Sequence, residues 1–173
     1  SGNRLFHFGA TSGAAGQVIG LGKNGGYYFN GGGEQTFSGV NFGGNVQVGV
    51  FRRAAGSTYA ESEFILNGTS KIGTAISGTS TPSIPSSGVD MLLGAGRNAS
   101  GAIAQQLDNG VIHEVMLFSG DLNDFAVRRL EGYLAYKWGS NARLAGGHPF
   151  ASSRPQFGGS QSITVAAANV PLD

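Results

Sequence analysis

The chain has no cysteine, which removes disulfide bridges and thiolate metal sites together. That absence argues against a eukaryotic secreted module held by bridges and leans towards a bacterial or viral source. Charge is also scarce: charged residues make up 12% of the chain, against about 25% in ordinary soluble domains. The net charge is +1, and no basic run is longer than Arg52-Arg53 or Arg128-Arg129. Nucleic-acid binding rests on clustered phosphate contacts, so nucleic acid is excluded as an expected partner. No apolar run approaches the roughly 20 residues that span a bilayer, so no membrane span is expected. The chain begins Ser1-Gly2 with neither a Met nor a signal peptide, and is read as a processed or excised piece. No internal repeat of fixed period is visible.

What is abundant is glycine, at 31 of 173 residues, far above the usual share of roughly 7%. Apolar residues still make up 40%, with eleven Phe, five Tyr and one Trp. A chain with that apolar content can build a core, so the glycines mark many tight turns rather than a structureless tract. Its length suits one domain.

Short strands follow one another from the start: Leu5 to Phe8, Gln17 to Leu21, Tyr27 to Phe29, Gln35 to Phe37 and Val46 to Phe51. Lys23-Asn24-Gly25-Gly26 and Asn67-Gly68 supply hairpin turns that need positive φ. Further strands are expected at Tyr59 to Leu66, Lys71 to Ile76, Met91 to Gly94, Ala102 to Leu107 and, most strongly, Val111 to Phe118. Gly78 to Gly88 is a Ser-, Thr- and Pro-rich loop. Ile163 to Ala166 could add one more strand. The pattern predicts an all-β antiparallel sandwich or barrel rather than βαβ units.

One helix interrupts it, expected at about 123–138. Asn123 suits the N-cap, Asp124 the positive end of the dipole, and Gly139 the C′ position. Val127, Leu130, Leu134 and Trp138 form the expected inward stripe. Asp124 with Arg128, and Arg128 with Glu131, are expected as exposed pairs at helical spacing.

Residues 60 to 150 are similar to concanavalin A-like, LamG-type jelly-roll domains of bacterial extracellular and phage virion proteins. The residues that carry the resemblance are Ile112, Glu114 and Val115 on the last strand and Leu122 and Asp124 at the turn. Glu131-Gly132-Tyr133-Leu134, Lys137-Trp138-Gly139 and His148-Pro149 continue it. Upstream, Ile65 to Thr69 resembles the family's hairpin and Leu92 to Gly94 one of its strands. The resemblance implies a jelly-roll β-sandwich over 1–150, followed by a tail over 151–173. The family's opening strand is missing here, so the edge is either lost with an excised piece or filled by Gln161 to Ala168. Glu114, Asn123, Tyr133, Trp138, Gly139 and His148 are expected in structural roles.

The resemblance also frames the candidate sites. Glycosidases share the architecture and need paired carboxylates about 5 to 10 Å apart. Glu61 and Glu63 stand two apart on one strand face, but no third acid lies near, and wet glutamates are the better explanation. No catalytic residue is assigned. Gly20-Leu21-Gly22-Lys23-Asn24-Gly25 matches a dinucleotide pattern literally, yet a strand follows it instead of a helix, so it is a hairpin. His113 and Glu114 are adjacent and point to opposite strand faces, so they cannot share a metal. His7, like His148, is expected to pack, and three scattered histidines do not make a zinc site. Asp90, Asp108, Asn109 and Asp121 are loop oxygen donors suited to calcium, the one metal ion weighed as a cofactor. Tyr27, Tyr28, Tyr59, Arg97 and Asn98 are the expected ligand-binding residues. The expected function is non-catalytic recognition or assembly on a larger extracellular or virion protein. Its expected partners are a glycan or protein surface, neighbouring virion subunits or a second copy. A purely structural virion component and a glycan-cleaving enzyme are the alternatives.

Overall fold

The computed structural model describes residues 4–8, 19–22, 26–28, 34–37, 40, 44–52, 63–71, 73–77, 91–98, 100–104, 106–107, 110–120 and 122–156. Its strands are short and glycine-punctuated. β1 (Arg4–Phe8), β2 (Ile19–Gly22), β3 (Gly26–Tyr28) and β4 (Glu34–Phe37) form a continuous antiparallel meander. β5 (Gly49–Arg52), β6 (Glu63–Leu66) and β7 (Thr69–Lys71) form a second, three-stranded meander. β8 (Gly73–Ser77) and β9 (Met91–Leu93) close the two edges of the first meander, giving the order β8-β4-β3-β2-β1-β9. β10 (Gly96–Arg97) and β11 (Ile103–Ala104) make a separate two-stranded ribbon.

The antiparallel pairing of β2 with β3 is what a hairpin across 23–25 requires, and no helix follows those glycines. Between β6 and β7, Asn67 and Gly68 both take positive φ, of 50° and 82°. This is the left-handed pair that a two-residue hairpin demands, and Asn-Gly adopts it at least cost. The expected strand at Ile163 to Ala166 lies outside the described residues.

The expected all-β jelly-roll sandwich is not what these elements form. Among the described residues there are one six-stranded sheet of short strands, a three-stranded sheet, a two-stranded ribbon and one α-helix, with no sandwich of two large sheets. The physical reason lies in the strands themselves. Most run two to four residues, too short to give two broad apolar faces, and they pair mainly with sequence neighbours. A jelly roll would instead need strands crossing between layers. Val111 to Phe118, expected as the last strong strand, is not a strand and pairs with none among the described residues.

The sheets meet through aromatic rings instead. Phe37 at the end of β4 is buried against Phe51 of β5 at 6.4 Å and Phe64 of β6 at 5.7 Å. These are ordinary separations for edge and tilted aromatic pairs.

The helix follows its sequence signals closely. α1 spans Asp124–Lys137, with the Asn123 side chain accepting a hydrogen bond from the Ala126 amide. Gly139 takes φ +69° just beyond the C-cap Trp138. Its buried face differs from the expected stripe. Val127, Glu131, Gly132 and Ala135 are buried, whereas Leu130, Leu134 and Trp138 are only partly so. Two small residues let the chain approach closely: the Phe150 side chain comes within 2.7 Å of where a Cβ on Gly132 would sit. Ala135 joins Val48 and Leu144 in a small core, with Leu134 and Ala151 packed on it. The chain stays against the helix beyond residue 150, since Pro155 is buried and Arg129 donates to the Gln156 carbonyl at 2.7 Å.

Candidate functional site

Among the described residues, two neighbourhoods hold chemistry. The first is buried where α1, the Asn67-Gly68 turn and the His148-Pro149-Phe150 segment converge. Glu131 is fully buried, and its Oε1 accepts from the Gly68 amide at 2.8 Å. Arg128 donates to Glu131 Oε2 at 3.2 Å and, through the same Nη1, to the Gly68 carbonyl. His148 Nε2 lies 3.5 Å from Glu131 Oε2 without forming a hydrogen bond, and its Nδ1 accepts from the Phe150 amide at 3.2 Å. Ala145 donates to the Asn67 carbonyl, so turn, helix and tail are tied at several points.

Burial pushes the Glu131 carboxyl up, against the opposing pull of Arg128 and the Gly68 amide. Burial, with the Arg128 charge beside it, pushes His148 down. The two act in opposite senses on stability. Glu131 contributes fully below its ordinary value of 4.5, and that contribution is lost as pH rises through its folded value. His148 contributes fully above 6.5, and its share is lost as pH falls through its lower folded value. His148→Gln cannot protonate, so it is expected to lose less stability than the wild type between about pH 7.5 and about pH 5. Urea unfolding at both pH values reads this, and equal losses in the two proteins would contradict it.

The expected exposed Arg128–Glu131 pair is thus corrected: the carboxylate is inside and tied to backbone. The other expected pair also differs, since Asp124 meets Arg52 at 2.6 Å. Arg52 in turn pairs with Glu63, which also accepts from Ser70 Oγ at 2.7 Å. A glutamate already shared between a guanidinium and a hydroxyl fits an ionic tie between β5, β6, β7 and α1 better than an acid–base role. Glu61 lies outside the described residues.

The second neighbourhood is the surface around Trp138 and residues 111–118. Glu114 accepts from Trp138 Nε1 at 2.8 Å and pairs with Lys137 Nζ at 3.0 Å. Desolvation works against the charge on Glu114, but these two donors outweigh it and hold the carboxyl below its ordinary range. The His113 ring stacks on Trp138 at 4.7 Å, and Lys137 Nζ stands 5.6 Å from the indole centroid. Adjacent residues therefore engage one indole, His113 by its face and Glu114 by its N–H. Glu114 thus bonds side chains at the end of the helix. Lys137 also stands 5.5 Å from the Tyr133 ring.

Along 111–118 exposure alternates with period two. Val111, His113, Val115 and Leu117 are exposed, while Ile112, Glu114 and Met116 are half-buried. Val111 exposes 78%, Leu117 66%, Phe118 51% and Val115 42%. Nearby, Leu93, Gly94, Leu107, Gly110 and Ile112 line an open depression of about 310 Å³ that contains no ionisable side chain.

No family model, curated protein or solved structure matches this chain. The likeness of residues 60 to 150 to concanavalin A-like domains therefore establishes no family membership.

Of the expected ligand-binding residues, the side chains of Arg97 and Asn98 are described. Arg97 donates to the Gly101 carbonyl at 2.7 Å, and Asn98 Oδ1 accepts from the Ser100 and Ala102 amides at 3.0 Å each. Both side chains hold their own turn. Buried His7 accepts there too, its Nδ1 lying 3.4 Å from the Arg97 amide. Tyr27 and Tyr28 lie on β3, and the placement of their side chains, like all of Tyr59, falls outside the described residues. So do Asp90, Asp108, Asn109 and Asp121. Among the described residues no group of three or more His, Cys, Asp or Glu could hold a metal ion. No described helix is long and apolar enough to cross a membrane. The buried acid does leave one trace in the sequence, the row Val127, Glu131, Ala135 at steps of four. It places an acid in line with a small apolar face.

Proposed function

We infer that this chain is a non-catalytic assembly module of a larger extracellular or phage virion protein, and that it works by presenting an apolar edge to another protein. One observation carries this reading. Val111 to Phe118 exposes apolar side chains, at alternate positions from Val111 to Leu117, whereas three glutamates among the described residues are tied up. Glu131 is bound to Gly68 and Arg128, Glu63 to Arg52 and Ser70, and Glu114 to Trp138 and Lys137. Monomeric proteins seldom expose contiguous apolar runs without a partner for them. The chemistry of the edge favours a protein surface over a glycan. Sugars need converging polar groups, and the outward side chains here are Val, Val and Leu with one His.

The resemblance to concanavalin A-like domains supports the placement outside the cell or on a virion. A glycan array is expected to stay blank for the wild type. Saturable glycan binding that is lost in Arg97→Ala would move the reading to sugar recognition. Shortening of a polysaccharide that is abolished by Glu63→Gln would overturn the non-catalytic assignment.

A further inference from the structure

We propose that Asn67 is a deamidation site that the folded junction suppresses: the reaction runs only when the junction opens, and its isoaspartate product stops the junction from closing again. The chemistry belongs to the Asn-Gly pair itself. Hydroxide takes the Gly68 amide proton, and the nitrogen attacks Asn67 Cγ to form a carbon–nitrogen bond. Nδ2 leaves as ammonia, with a proton drawn from water that restores the hydroxide, and a five-membered succinimide remains. Water then opens the ring at either carbonyl, giving aspartate or isoaspartate. Glycine favours the attack because no Cβ shields its nitrogen. The sequence holds four such pairs, at 24–25, 30–31, 67–68 and 109–110, and 67–68 is the one whose two residues are both described.

In the folded chain both reacting groups are held. The Gly68 N–H donates to Glu131 Oε1 at 2.8 Å, and Glu131 is fully buried. A proton held on a buried acceptor is out of reach of hydroxide, and a carboxylate beside it opposes the nitrogen anion that must form. The Asn67 carboxamide is bonded to the chain ahead of β5: Oδ1 accepts from the Val48 amide at 2.9 Å, and Nδ2 donates to Gln47 Oε1 at 3.5 Å. The main chain repeats the tie. Asn67 donates to the Val48 carbonyl and accepts from the Ala145 amide, both at 2.8 Å. Ring closure has to swing Cγ from Val48 onto the Gly68 nitrogen. It also has to rotate a backbone that the hairpin holds left-handed, at φ 50°. Neither can happen with these bonds in place.

The products differ in what they allow afterwards. Isoaspartate carries the main chain through Cβ and Cγ, which makes the turn one atom longer. A two-residue turn with an added atom cannot keep Leu66 opposite Thr69 and also return the Gly68 amide to Glu131. Aspartate keeps the length and loses only the amide donor that meets Gln47.

The test incubates the full chain at mildly alkaline pH, native and in urea. Mass spectrometry follows the peptide around residue 67, and an isoaspartyl methyltransferase is the probe for isoaspartate. Native deamidation at Asn67 is expected to be at least roughly a hundredfold slower than in urea, because only the open fraction reacts. Glu131→Ala removes the acceptor of the Gly68 amide and should speed the native reaction by roughly tenfold or more, with the rate in urea unchanged. Glu131→Gln keeps an acceptor there and should raise the rate only a few-fold. Urea below the unfolding transition gives the same reading on the wild type: deamidation and exchange of the Gly68 amide should rise in parallel. Equal rates in the native and unfolded chains overturn the proposal, as does a native rate indifferent to both Glu131→Ala and urea. An isoaspartate fraction that refolds to wild-type urea resistance overturns the trap.

Discussion

Glu131→Ala is expected to lower the free energy of unfolding by about 3 kcal/mol, the low end of what breaking a buried ion pair costs. Two losses add up. The Gly68 amide would be left without its acceptor, and an orphaned buried donor costs about 1–3 kcal/mol. Arg128 would lose its carboxylate, but its side chain is 30% exposed and can hydrate, which holds the total down. Glu131→Gln separates the two contributions. Its amide oxygen can still accept from Gly68, and burial already pushes the carboxyl towards its neutral form. A neutral isostere should therefore cost only about 1 kcal/mol. Urea unfolding followed by circular dichroism measures both. If Gln proves as costly as Ala, the charge on Glu131, and not its bond to the turn, holds this junction.

That junction also shows where local sequence signals stop. The Asn123 cap, the span of α1 and the glycine beyond it were legible because each depends on residues within four positions. The Asn67-Gly68 turn was legible for the same reason. Glu131 was not. At three positions from Arg128 it reads as half of a surface pair, and its burial is set by a backbone amide 63 residues away. The rotation of the helix face from Leu130 and Leu134 towards Glu131 and Gly132 has the same origin. A close approach by Phe150 selects the small residue, and periodicity carries no information about what approaches.

The sheet arrangement was hidden for a related reason. Val111 to Phe118, expected as a strand, forms none among the described residues, although its exposure alternates from Val111 to Leu117. Apolar content made that run look like an interior strand of a sandwich. An apolar run that stays at the surface has the same composition as a buried strand. Likewise Arg97 and Asn98 looked available for a ligand because they are polar and loop-placed. Both are used by the turn from Asn98 to Ala102, a short-range bonding pattern that Asn commonly provides.

Gly68→Ala is expected to be as damaging as Glu131→Ala, and a control glycine shows why. Gly139 has φ +69°, and a Cβ added there would meet nothing within 4 Å. Alanine at that position bears only the cost of the left-handed backbone, about 1 kcal/mol. Gly68 has φ +82°, and a Cβ would stand 2.6 Å from His148 Cδ2. His148 is buried and held through the Phe150 amide, so the ring cannot swing away freely. Overpacking of this kind adds about 1–3 kcal/mol, bringing Gly68→Ala to about 3 kcal/mol in total. Thermal or urea unfolding of the two alanine variants should show that difference. The clash can then be isolated by repeating Gly68→Ala in a His148→Ala background. With the ring gone, its cost should fall to that of Gly139→Ala, giving a coupling of about 2 kcal/mol between residues 68 and 148. Additive effects would instead mean that the turn, and not the imidazole packed on it, resists the side chain.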